Sequence, residues 1–111
     1  MRAMNAHHLA EERSLELHRE VARLLERDPS STARARTRVD SWLHDGSVAQ
    51  PYAEAWSRLL DGPLETLLAC LRDEGEVARA LRQATPFAGY VDARRRWKLW
   101  REVRVRIEGR S

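Results

Sequence analysis

Leu59-Leu60-Asp61-Gly62-Pro63-Leu64-Glu65-Thr66-Leu67-Leu68-Ala69-Cys70-Leu71-Arg72 is the stretch that decides the fold. Its apolar residues recur at helical rather than alternating spacing, and Asp-Gly-Pro interrupts them once. Proline has no amide to lose in a first helical turn, so Gly62-Pro63 ends one helix and starts the next within three residues. A connection that short brings two helices together as a corner or hairpin, a basic unit of helical bundles. The part after the break, about 63–72, is the most apolar segment of the chain and is expected to be the central, most buried helix.

Working outward, further breakers at Pro29, Gly46, Pro51, Gly75, Pro86 and Gly89 divide the chain into helical lengths. The helix before the corner starts near Pro51 and places Tyr52, Trp56, Leu59 and Leu60 on one side. Upstream, residues 6–27 carry Leu17, Val21, Leu24 and Leu25 as a stripe, with a more polar first half expected to project beyond the core. Residues 31–44 repeat the stripe with Ala35, Val39, Trp42 and Leu43, put Arg34 and Arg38 outward, start at a Ser30 or Ser31 cap and leave through Asp45-Gly46. Downstream, residues 76–84 offer Val77, Ala80, Leu81 and Ala84 to the core, and Phe87 sits in a Pro/Gly turn that plugs its end. The last helix, about 93–104, has Asp92 as N-cap and Leu99, Trp100 and Val103 as its buried side; Arg96 is the basic residue expected to pair internally.

These elements define a compact, single-domain, all-α bundle of five or six short helices over residues 1–106. Val103 to Ile107 alternates like a strand, but a lone strand has no partner and is expected to fray or to extend the last helix. Ile107-Glu108-Gly109-Arg110-Ser111 reads as a protease-recognition scar, a vector-derived tail at residues 107–111. The chain has 111 residues, enough to bury roughly two-thirds of its unfolded surface in one core. No run approaches the roughly 18 apolar residues a spanning helix needs, so no membrane role is expected. One cysteine cannot form an internal disulfide, and residues 1–25 carry acids and histidines where a leader would be apolar; the expected compartment is the cytoplasm.

Charge is distributed unevenly. Residues 1–91 hold 12 Arg against 14 acids, whereas residues 92–111 hold 8 Lys+Arg against 3 acids, so the positive excess is C-terminal. Nineteen of the 20 basic residues are arginine, a bias that the codon usage of a GC-rich genome, which also favours the 15 alanines, explains better than function does. On the last helix Arg94, Arg95, Trp97, Lys98 and Arg101 form the candidate binding set, with Trp97 as an anchor among cations. Aromatic residues with arginine are what interface centres favour. The same helix also suits DNA or RNA, through stacking beside phosphate contacts.

Catalytic and metal chemistry find little support. His7, Glu11 and His18 fall near one helical face but span about three turns, at ~1.5 Å rise per residue too far apart for one zinc, and are expected to be solvated. His44 complements the end of its helix. Cys70, inside the Leu-rich segment, is expected to be a small core residue, since apolar burial raises a thiol pKa. No glycine-rich phosphate loop is present, no cofactor is implied, and the chain is not expected to be an enzyme.

Three blocks give the chain a resemblance to known proteins: Arg13-Ser14-Leu15-Glu16-Leu17-His18, Leu59-Leu60-Asp61-Gly62-Pro63-Leu64, and Leu81-Arg82-Gln83-Ala84-Thr85-Pro86-Phe87-Ala88-Gly89 followed by Arg96-Trp97. It resembles a family of small bacterial helical proteins encoded beside nucleotidyltransferase-like proteins, an arrangement similar to toxin–antitoxin pairs. The family commonly has Ser-Pro where this chain has Asp92-Ala93; both start helices. The resemblance implies an antitoxin-like binding protein whose partner is a nucleotidyltransferase-like toxin; the expected mechanism is occlusion, the last helix presenting Arg94, Arg95, Lys98 and Arg101 to a carboxylate-lined, metal-dependent active site with Trp97 as the anchor.

Overall fold

The computed structural model describes residues 6–109, and within them the chain is an all-α bundle of six helices. In chain order they are α1 (Ala6–Arg27), a 3-10 turn (Pro29–Ser31), α2 (Thr32–Asp45), α3 (Gln50–Asp61), α4 (Leu64–Arg72), α5 (Glu76–Gln83) and α6 (Ala93–Gly109). Among the described residues no helix is long and apolar enough to cross a membrane. The alternating segment from Val103 onward continues α6 as helix.

The central element is α1, not the Leu-rich α4. It packs against α4, α5 and α6, and buries Leu15, His18, Val21, Ala22 and Leu25 over three turns. Helix α4 buries Leu67, Leu68 and Leu71 but turns Glu65, Thr66 and Ala69 to solvent. The nine residues of α4 give about 14 Å of length to pack along, whereas the 22 of α1 give about 33 Å. Nor does the polar first half of α1 project. It is flanked by α5 and α6, whose arginines reach its acids: Arg79 lies 3.2 Å from Glu11, and Arg106 3.5 and 3.4 Å from Glu12 and Glu16.

The register of α5 differs from the expected one. Val77 is 78% exposed, and the buried side is Ala78, Leu81 and Arg82. Arg82 enters the interior because α4 ends there with open carbonyls; its Nη1 donates to the Cys70 and Asp73 oxygens at 3.3 and 2.6 Å. A side-chain donor thus reinforces a helix C-terminus, where the Cys70 carbonyl also accepts the Asp73 amide at 3.3 Å. In α3, Trp56 is fully buried as expected, whereas Tyr52 is 39% exposed and Ala53 takes its place.

Residues 84–92, between α5 and α6, lock the bundle. Phe87 packs edge-on against Trp56 and Tyr90, with ring centroids 5.8 and 5.1 Å away. The Trp56 indole N–H donates to the Leu81 carbonyl at 3.2 Å. Arg38 is drawn from the expected outward direction onto this segment, donating to the Pro86 and Ala88 oxygens at 3.0 and 2.9 Å.

The start of α2 departs from the serine cap read in the sequence. Ser30 and Ser31 both donate to the Asp28 carboxylate, at 2.5 and 3.0 Å, and neither side chain caps the helix. Instead the Tyr90 hydroxyl accepts from the Ala35 amide at 3.0 Å and donates to the Ser31 carbonyl at 2.5 Å. It holds the first turn of α2 by an amide and by the carbonyl four residues earlier. The backbone of that turn is helical in its own right, so Tyr90→Phe is expected to lower stability by only about 1 kcal/mol, read as a urea midpoint shift at constant slope. A loss several times larger would mean that the turn depends on the hydroxyl. The exit from α2 matches the sequence: Gly46 is left-handed at φ 72°, and its amide returns to the Trp42 carbonyl at 2.9 Å.

Candidate interaction face on the last helix

Helix α6 begins where the sequence places it. The Asp92 Oδ1 accepts the Arg95 amide at 2.9 Å, one of the open donors of the first turn. From there the helix runs antiparallel to α1, burying Leu99 and Val103 against it. Arg95 near its start meets Glu20, and Arg106 near its end meets Glu12 and Glu16.

This seam separates the expected binding residues. Arg95 donates to both Glu20 oxygens, through Nε at 3.3 Å and Nη2 at 3.2 Å, so it is held by the protein's own carboxylate. Burial alone would raise the Glu20 pKa; hydrogen bonds and charge from Arg23 and Arg95 together outweigh it and hold the carboxyl below its ordinary value. Arg96, the residue expected to pair internally, has no carboxylate partner among the described residues, and its guanidinium carbon lies 5.3 Å from the Trp100 ring centre. One residue rotates a helical position by about 100°, and the side on which α1 presents Glu20 decided between neighbours.

Arg94, Trp97, Lys98 and Arg101 are exposed together on the opposite side. With Val105 they recur at i, i+3, i+4, i+7 and i+11, which confines them to about 100° of arc. Trp97 is 62% exposed and Val105 68%; among the described residues Arg94, Lys98 and Arg101 pair with no carboxylate. A groove lined by Lys98, Arg101, Glu102, Val105 and Arg106 runs beside the stripe. The arrangement offers fixed positive charge around a large amphipathic ring.

His18, expected to be solvated, is 1% exposed. A carbonyl can only accept, so the 2.7 Å contact with the Ser14 oxygen fixes the proton on Nδ1, and Nε2 accepts from the Thr85 hydroxyl at 2.8 Å. Thr85 in turn accepts from the Phe87 amide at 3.0 Å. Burial, reinforced by Arg82 and opposed by the Ser14 carbonyl, lowers the His18 pKa to about 4. Both ring nitrogens are occupied, and among the described residues no three His, Cys, Asp or Glu side chains are grouped to hold a metal. The His7 side chain lies outside the described residues, as do Arg110 and Ser111. Cys70 is half-buried rather than enclosed, and burial raises its pKa. It borders an apolar groove with Ala55, Leu59, Pro63 and Val77.

The fold and this face together define an all-α bundle with one cationic, aromatic helix surface. No family model, no curated protein and no solved structure matches the chain.

Proposed function

We propose that this chain is a non-catalytic, cytoplasmic binding protein, antitoxin-like in action, which neutralises a protein partner by laying the outer face of α6 over a carboxylate-lined active site. One observation carries the reading: among the described residues Arg94, Lys98 and Arg101 stand without carboxylate partners around a Trp97 that is 62% exposed. Interface energy concentrates on such aromatic and cationic anchors. Val105, exposed on the same stripe, adds apolar area that a phosphate backbone has no use for. The partner to try first is the nucleotidyltransferase-like protein that the sequence resemblance implies.

The test is co-purification with the product of the adjacent gene, followed by titration. Trp97→Ala is expected to weaken the complex by about 2 kcal/mol, roughly 30-fold. Lys98→Glu with Arg101→Glu is expected to abolish it at micromolar concentration, with the helical circular dichroism unchanged. Full affinity in both variants sinks the reading. Trp97 among cations also suits a nucleic-acid regulator, and salt separates the two. Three phosphate contacts would cost about 40-fold in affinity between 50 and 200 mM salt on any sequence, whereas a packed protein interface loses less.

A further inference from the structure

The seam between α6 and α1 has two unlike flanks. On α6, Arg95 and Arg106 lie within about 20° of each other on one side of Leu99 and Val103, and Arg96 and Trp100 lie on the other side. The first flank is closed by Glu20, Glu16 and Glu12. On the second, Arg13 of α1 and Arg96 of α6 each bring a guanidinium carbon to 5.3 Å from the centre of the Trp100 ring. Sharing one ring keeps two positive charges within about 11 Å, near the screening length of physiological salt. Among the described residues neither arginine has a carboxylate partner.

A second observation concerns the donors there. Among the described residues four buried side-chain donors lack an acceptor; two, the Trp100 indole N–H and the Arg13 Nε–H, lie together in this cluster, and the others are the Nε–H groups of Arg82 and Arg106. Buried polar groups in native proteins are nearly always paired, so an orphan calls for an explanation. Here the orphans lie beside two uncompensated cations, and the residues that bear them are partly exposed. What the cluster lacks is an acceptor carrying negative charge.

We propose that Arg13, Arg96 and Trp100 form a binding site for a small oxyanion, a carboxylate or a phosphate, in the open flank of the α1–α6 seam. A guanidinium is a planar fork that matches two oxygens of such an ion, and stacking on the indole fixes the plane of each fork in advance. The ion bridges two like charges and supplies the acceptor that the orphan donors lack. The site is independent of the reading given for the outer face, because Arg94, Trp97, Lys98 and Arg101 take no part in it.

Sodium acetate and sodium phosphate are titrated separately into the isolated, isotopically labelled protein, with sodium chloride at equal ionic strength as reference. The readout is the indole N–H resonance of Trp100, assigned by its loss in Trp100→Phe. A saturating shift at millimolar acetate or phosphate, absent in chloride, is expected, and whichever ion produces it names the ligand's chemistry. Arg13→Gln and Arg96→Gln are each expected to weaken it at least tenfold, and Trp97→Ala to leave it intact. A shift that chloride reproduces, or binding that both glutamine variants retain, overturns the site. Should Arg13→Gln fail to fold, Arg96→Lys is read instead. It keeps the charge and loses the fork, and undiminished binding there counts against the proposal.

Discussion

Trp56→Ala is expected to lower the free energy of unfolding by about 3–5 kcal/mol, a large share of the roughly 5–15 kcal/mol that holds a typical domain. The side chain is fully buried, sits edge-on to Phe87 at 5.8 Å, and ties α3 to α5 through its bond to the Leu81 carbonyl. Truncation removes apolar burial, leaves a cavity among residues that cannot all collapse into it, and takes one of two donors from the Leu81 carbonyl, which keeps the Ala84 amide at 3.0 Å. Trp56→Phe separates these contributions. It keeps most of the ring and loses the N–H, and is expected to cost about 1–3 kcal/mol. Urea unfolding followed by circular dichroism measures both, and an alanine variant within 1 kcal/mol of the parent would show that the aromatic chain does not organise the core.

The second large effect is set by pH. His18 titrates near 4 in the folded protein against 6.5 as its ordinary value, so between those limits the unfolded chain binds more protons than the folded one. Stability is therefore full above about pH 6.5, falls as acid is added, and levels off below about pH 4; at 1.36 kcal/mol per unit the loss from this one group is about 3 kcal/mol. Glu20, whose folded carboxyl sits below its ordinary value, loses its contribution only further into acid. His18→Gln keeps a polar side chain for Ser14 and Thr85 without titrating. It is expected to be less stable at pH 7 and to show a nearly flat profile from pH 6.5 to 4.5. Parallel profiles for the parent and the variant would refute the assignment to His18.

Helix positions were readable wherever a proline or glycine set the boundary, as at Asp28-Pro29, Asp45-Gly46 and Gly62-Pro63. Faces were harder to read. In α5 Val77, Ala78, Ala80 and Leu81 spread over about 160° of arc, too wide to fix the buried side, and a residue that faces inward is an arginine, held there by the end of α4. His18 did carry a signal, lying three residues from both Leu15 and Val21, but charged neighbours made it look like surface. The candidate face was legible as a cationic helix with an exposed tryptophan. Which arginines remain available depended on how α1 and α6 align, and no local pattern encodes that alignment. The Arg13–Trp100 contact joins residues from opposite ends of the sequence and was out of reach for the same reason.

The segment from Thr85 to Val91 touches three helices made long before it: His18 through Thr85, Trp56 through Phe87, and the first turn of α2 through Tyr90. Synthesis delivers the amino end first, at about 5–20 residues per second. While the chain is being made, α1, α2 and α3 therefore wait several seconds for the stitches that join them. Until residues 85–91 have left the ribosome, the imidazole and the indole that will end in the interior remain within reach of water and of chaperones.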